Sequence, residues 1–196
     1  MTVARLPFVS LLVTASCAWM LDDRPAFEPT PAAAVRAMLE MANVGPDDVV
    51  YDLGSGDGRI AIAAAREFGA RAVGIEIDPA LVARAREAAQ NAGVAGRVEF
   101  RQGDMYAADI AGATVVTLFL NPRPNLKLRP KLQSSLPPGA RIVSYVWDMG
   151  DWEPDAVQTI DGRRILLWRI SRQVSARSVA ARSIAPVPAA TGGSSW

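Results

Sequence analysis

Two aspartates and three alternating glycines stand close together in the run DLGSGDGR (52–59): Asp52, Gly54, Gly56, Asp57 and Gly58. Glycine lets a backbone turn sharply and lets a ligand lie against it with no Cβ in the way. Carboxylates in and beside such a loop attract a cation and repel a phosphate. The dinucleotide fingerprint G-x-G-x-x-G needs a third glycine where Arg59 stands, and no G-x-x-x-x-G-K-[ST] run exists for a nucleoside triphosphate. The chain has one cysteine and no histidine. That excludes a disulfide within the chain, a Cys/His zinc site and any Ser-His-Asp, Cys-His or histidine-base catalysis. The loop therefore suits a ligand bearing an ammonium, a sulfonium, or both, and S-adenosylmethionine carries both together with an adenosine.

Two further carboxylates fall where such a ligand would need them. Glu76 ends an apolar run about 24 residues after Asp52, close to the spacing of ribose-binding acids. Asp104 follows Gly103 after a third run. Each also has a plainer reading: Asp57 as a helix cap, Glu76 as a solvated strand end, Asp104 as a turn residue, the glycines as a tight turn and nothing more.

The elements that must position these residues alternate. Thr30-Pro31 reads as the start of a helix with Thr30 as its N-cap, carrying Val35, Met38, Leu39 and Ala42 on one face, with Gly45-Pro46 as its stop. Strands are expected at 48–53, 71–77, 97–102, 114–120 and 140–147, with helices at 59–68, 79–91 and 124–135 between them. Segments 156–160 and 164–170 flank Asp161-Gly162, a hairpin signal. Alternating strands and helices with continuous apolar strands predict an α/β, Rossmann-like open sheet. It is mostly parallel, with helices on both faces and an antiparallel C-terminal hairpin at one edge. Such a sheet binds its ligand beyond the carboxyl ends of the strands, where the glycine loop lies.

With Asp52-x-Gly54-x-Gly56-x-Gly58 after the first strand, Glu76 after the second and Gly103-Asp104 after the third, the chain resembles the class I S-adenosylmethionine-dependent methyltransferases. It is most similar to bacterial relatives of the mitochondrial lysine methyltransferases that act on the ATP synthase c subunit and the adenine nucleotide translocase. Pro29-Thr30-Pro31, DLGSGDGRI, TVVTLFLNPRPNLKLRPKL (114–132), PPGARIVS (137–144) and DMGDWEPD (148–155) carry that resemblance, which spans roughly 27–170.

The resemblance implies that Asp52, Gly54, Ser55 and Gly56 hold the methionine part of the cofactor. It implies that Glu76 accepts from the ribose hydroxyls, Asp104 from the adenine amino group, that Met105 stacks on the ring, and that Thr30 reaches the cofactor carboxylate. Many methyltransferases acting on nitrogen carry an Asn/Asp-Pro-Pro-aromatic loop after strand four. Here the run is Asn121-Pro122-Arg123-Pro124, without the aromatic. Asn121 and Pro122 are expected at the reacting amine or as plain loop residues, and Asn125 is a neighbouring alternative. Asp148 is a candidate acceptor for the incoming ammonium. Tyr145, Trp147 and Trp152 are candidates to wall a channel for an aliphatic side chain, or to pack under the hairpin.

Lys and Arg number 21 against 20 for Asp and Glu. A net charge near zero gives no general attraction to nucleic acid or anionic lipid. No metal is expected. The expected activity is methyl transfer to a protein lysine amine, including membrane-embedded proteins. Its competitors are a small-molecule methyltransferase, and a nucleotide-cofactor oxidoreductase or a non-catalytic cofactor-binding protein. Residues 1–26 hold an apolar run read as a signal-like segment or anchor, with small residues around Cys17. Residues 27–170 are the expected methyltransferase domain, and 171–196, rich in Ser, Ala and Arg, a disordered tail. The donor is made in the cytoplasm, so the domain is expected to face it, at the membrane if the first segment anchors it.

Overall fold

The computed structural model describes residues 27–171. The expectations for the apolar first segment, Cys17 and the C-terminal tail lie outside the described residues. Strands β1 (Val49–Leu53), β2 (Arg71–Glu76), β3 (Val98–Gln102), β4 (Val115–Leu118), β5 (Arg141–Tyr145), β6 (Ala156–Ile160) and β7 (Arg163–Arg169) form one sheet in the order β3-β2-β1-β4-β5-β7-β6. The first five run parallel, and β7 and β6 add antiparallel to β5. The hairpin turns at Asp161-Gly162, both with positive φ, the backbone that matches the twist of paired strands. The order reverses between β1 and β4, which makes their carboxyl ends the switch point.

Helices α1 (Ala32–Met41), α2 (Arg59–Phe68) and α3 (Pro79–Asn91) cover one face. Their buried alanines and valines pack with Val50, Ala72, Phe100, Val115 and Val143. Helix α4 (Pro122–Ser135) covers the other through Leu128 and Leu132, which meet Leu53, Ile75, Leu118 and Trp168. Side chains alternate between these two cores along each strand, as period-two pleating requires. Asp52 and Thr117 thus fall on the α1–α3 face, opposite one another in register.

Several expectations change. Thr30 does not cap α1: Pro31 takes that position, without a side-chain cap bond, and Thr30 is buried with its carbonyl accepting from Arg59 Nη1 at 2.9 Å. Helix α4 starts at Pro122, two residues earlier than expected. Prolines in a first turn sacrifice no helical hydrogen bond, because those N–H groups have no partner anyway. Strand β5 stops at Tyr145, because Val146 takes φ of 73°.

The foot of the sheet, at the strands' amino ends, is tied by one polar cluster. Asp48 accepts from Thr114 Oγ1 at 2.6 Å and Gly45 N–H at 2.9 Å, and pairs with Arg141. Arg141 Nη1 also donates to the carbonyls of Ala42 and Asn43 at 2.7 and 3.0 Å. Residues bordering β1, β4, β5 and the end of α1 are thereby joined at the end opposite the glycine loop.

Candidate active site

A cleft of about 520 Å³ opens at the carboxyl ends of the strands, within the size range of small-molecule sites. Gly54, Gly56 and Gly58 have φ of 79°, 54° and 80°, so the loop alternates through left-handed backbone that side chains other than glycine resist. Close packing adds a second reason. A Cβ on Gly58 would lie 2.4 Å from Phe100 Cζ, and one on Gly56 2.3 Å from the ring of Phe27.

Four of the loop's N–H groups are spent internally. Gly54 and Ser55 donate to Ile75 O at 2.9 and 3.0 Å, and Gly58 to Ser55 O at 2.8 Å. Gly56 donates to Glu76 Oε2 at 2.9 Å. A phosphate site needs such donors aimed outward. Asp57 also stands at the α2 N-terminus, where an anion would sit. Its carboxylate is clasped by Arg59, with Nη2 to Oδ2 at 2.6 Å, and that hydrogen bond holds it below the usual carboxylate range. Asp57 is therefore a neutralised rim residue: of its two expected readings, the open cation attractor gives way to the helix-end residue, its Oδ1 accepting from Arg59 N–H at 3.3 Å.

Asp52 is different. It is 2% exposed, lies in the cleft wall, and accepts from Thr117 Oγ1 at 2.7 Å. Burial pushes its carboxyl up to about 7, with Thr117 holding it down and Glu76 and Asp57 adding repulsion. Beside it, Ser55 Oγ is buried without a hydrogen-bond partner, an arrangement that costs stability unless a ligand supplies one. Glu76 Oε1 accepts from the N–H groups of Ile77 and Asp78 at 2.8 and 3.0 Å. With Oε2 on Gly56, three of about four acceptor positions of this carboxylate are filled. One remains on Oε2, so the picture of Glu76 open to two hydroxyls at once is narrowed. Asp104 lines the cleft and accepts from Tyr106 N–H at 2.8 Å, so it is also a turn residue. Met105 and Thr30 line the cleft too.

The structure separates the expected catalytic set. Asn121 is exposed on the cleft wall and makes no cap bond to α4. Pro122 forms the first turn of that helix and is not among the lining residues; Pro124 is. Asp148 also lies off the lining, pairing with Arg164 at 3.4 Å and accepting from Gly150 N–H at 3.2 Å. Asn125 is fully buried in the α4 contact with β5. Of the three aromatics, Tyr145 is buried edge-on to Phe119 at 5.0 Å and Trp152 packs on Trp168 at 5.9 Å. Only Trp147 reaches the cleft.

Sequence reasoning missed Thr117, Phe27 and Phe119. A signal existed for Thr117: it is a polar residue inside a continuous apolar strand, as is Asp52 in its neighbour. Phe27 and Phe119 are ordinary apolar residues in sequence, and only the folded chain brings them to the rim.

Residues 52–156 match the model of the ANTKMT methyltransferase domain. The chain belongs to that family. A protein-lysine N-methyltransferase of Saccharolobus islandicus is 44% identical over 69% of this chain and 84% of its own length. The adenine nucleotide translocase lysine N-methyltransferase of Mus musculus is 36% identical over 71% of this chain, which spans 65% of that protein. A crystal structure described as an RNA methyltransferase from Salinibacter ruber, in complex with S-adenosyl-L-homocysteine, is 56% identical. It superposes with a TM-score of 0.74 over 75% of this chain and 96% of its own. The ANTKMT match covers the glycine loop, β2 to β5 and α4, and so includes the cleft residues from Asp52 to Trp147 but not Phe27, Glu28, Thr30 or Arg163.

Proposed function

We propose that this chain, an S-adenosylmethionine-dependent methyltransferase by family, transfers methyl groups to lysine side-chain amines of proteins. The observation that carries this reading is the charge of the cleft. Six carboxylates border it (Glu28, Asp52, Asp57, Glu76, Asp78 and Asp104), against two arginines, Arg59 and Arg163. Arg59 is paired with Asp57, and Arg163 stands 3.8 Å from Glu28. Such a cleft favours a cationic donor and a cationic acceptor and opposes a polyanion.

The residues present fit the donor. Asp52 would hold its ammonium, and the unpartnered Ser55 Oγ gives a buried polar contact beside it. The last acceptor position of Glu76 suits a ribose hydroxyl, while Asp104 and Met105 border the place for an adenine. When bound, S-adenosylmethionine supplies an electrophilic methyl on a sulfonium that leaves as a neutral thioether. The chain's own task is to desolvate and aim the amine. The half of the cleft above β4 and β5 is lined by Phe119, Leu120, Pro124, Val146 and Trp147. Apolar surroundings lower an ammonium pKa, so a lysine amine entering there gives up its proton to solvent water at the mouth, without a histidine base. Asn121, exposed on the cleft wall, would accept a hydrogen bond from that amine. Holding the two reactants in line supplies much of the rate.

Residues 27–170 form the proposed catalytic domain. We take it to work on the cytoplasmic side, where the donor is made. No helix among the described residues is long and apolar enough to cross a membrane.

A second reading, methyl transfer to RNA, has the Salinibacter ruber relative in its favour. One experiment separates them. Purified protein is titrated with S-adenosylmethionine and with NAD, alongside Asp52→Ala and Glu76→Ala. It is then given labelled donor and a lysate from a strain lacking this chain. We expect binding of S-adenosylmethionine alone, much weakened in both variants, and label recovered as methyl-lysine after acid hydrolysis. NAD binding of similar strength, or nuclease-sensitive label, would refute the proposal.

A further inference from the structure

The acceptor half of the cleft is walled by an unusual piece of backbone. Val146 is β-branched, yet sits at φ of 73°, a region its side chain resists. Trp147 N–H donates to Tyr145 O at 3.0 Å across it. Residues 145–147 are thus a γ-turn of the rare, positive-φ kind.

Strain of this sort persists only where the surroundings over-determine it, and here three elements do so. Val146 N–H donates to Arg164 O of β7 at 2.7 Å. Ser144 Oγ, in β5, donates to Trp147 O at 2.7 Å. From α4, the amide Nδ2 of Asn125 reaches Ser144 Oγ at 3.3 Å, Trp147 O at 3.2 Å and Asp148 O at 3.3 Å. Asn125 Oδ1 is buried without a partner. A buried acceptor left empty is costly, so this side chain is held for its donors at the expense of its acceptor. The outcome is a tryptophan, 38% exposed, turned out of the sheet and onto the cleft beside Pro124 and Val146.

Ending a strand does not require this strain, because glycine would adopt the same backbone freely. A fixed indole does require a rigid support. We propose that the Val146 γ-turn, clamped by Asn125, fixes Trp147 as the wall of the acceptor channel, where its face holds the aliphatic stem of the incoming lysine. Asn125 and Val146 are positioning residues, and Trp147 touches the substrate. An indole offers a large, rigid apolar face on which methylenes pack and are shielded from water. This inference rests on the lysine reading above.

The test compares wild type with Trp147→Ala, Trp147→Phe and Val146→Gly. Initial rates are measured against serial dilutions of protein from the lysate of a strain lacking this chain, with S-adenosylhomocysteine affinity and urea midpoint taken in parallel. Trp147→Ala is expected to raise the apparent acceptor KM about tenfold with cofactor affinity unchanged, and Trp147→Phe to restore most of it. Val146→Gly is expected to keep or raise the urea midpoint and yet raise the acceptor KM, which a purely structural turn would not do. Wild-type acceptor KM in Trp147→Ala or in Val146→Gly would overturn the inference, as would loss of cofactor affinity in Trp147→Ala. No transfer to lysine by the wild type would overturn it together with the lysine reading.

Discussion

Asp52 pits stability against binding, and replacing it with asparagine exposes the conflict. Its carboxyl is pushed from an ordinary 3.8 to about 7, first by burial. Between those values the folded chain holds a proton that the unfolded chain has released, so stability falls as pH rises through that window. At ~1.36 kcal/mol per pH unit, the loss completed above pH 7 is on the order of 4 kcal/mol. Asparagine resembles the protonated acid in shape and carries no charge to desolvate. Urea denaturation of cofactor-free protein between pH 4 and pH 8.5 gives the measurement. The wild-type minus Asp52→Asn difference cancels the titrating groups that do not sense Asp52, leaving Asp52 and its repulsion with Glu76 and Asp57. It is expected to move against the wild type by a few kcal/mol on passing from acid to alkaline pH, leaving the variant the more stable protein at pH 8.5. The same variant is expected to bind S-adenosylhomocysteine much more weakly, because the ammonium loses its anion. Parallel stability profiles across the range would refute the reasoning, and with it the idea that the buried charge is kept for a ligand.

Thr117→Val removes the hydroxyl that holds the Asp52 carboxyl down. Wild-type affinity for S-adenosylhomocysteine is expected to rise with pH as Asp52 ionises, and the variant's midpoint to lie higher, by calorimetry at pH 5.5 to 8.5. Gly58→Ala places a methyl 2.4 Å from Phe100 Cζ at φ of 80°. Left-handed strain and overpacking together are expected to cost about 2–5 kcal/mol in urea denaturation, far beyond a surface Gly→Ala change.

The parts of this fold legible in the sequence were those governed by local rules. Helices α2 and α3 match the expected 59–68 and 79–91, because Gly69, Pro79 and a run of alanines punctuate them without ambiguity. The hairpin also appeared where Asp161-Gly162 placed it. Errors arose where a tertiary contact outranked a local one. Thr30 looked like a cap, but its segment is tied by its carbonyl to Arg59, 29 residues on. Asp57 looked like an open charge until the fold of its own loop turned Arg59 back onto it. Strand β5 was expected through Trp147, since nothing in Tyr-Val-Trp announces a γ-turn imposed by Asn125 from another helix. In the site, Asp52 and Glu76 were visible as charges ending apolar runs. The partner that positions Asp52 lies 65 residues away on β4, out of reach of any motif.

The cluster of Asp48, Thr114 and Arg141 binds the strands at the end remote from the cleft. The molecule therefore resembles a hand gripped at the wrist, with the cleft at its fingertips. A change of side chain at the fingertips need not travel down to the grip. A lineage can thus swap clientele by revising rim residues such as Phe27 and Trp147, while the chassis beneath stays bolted.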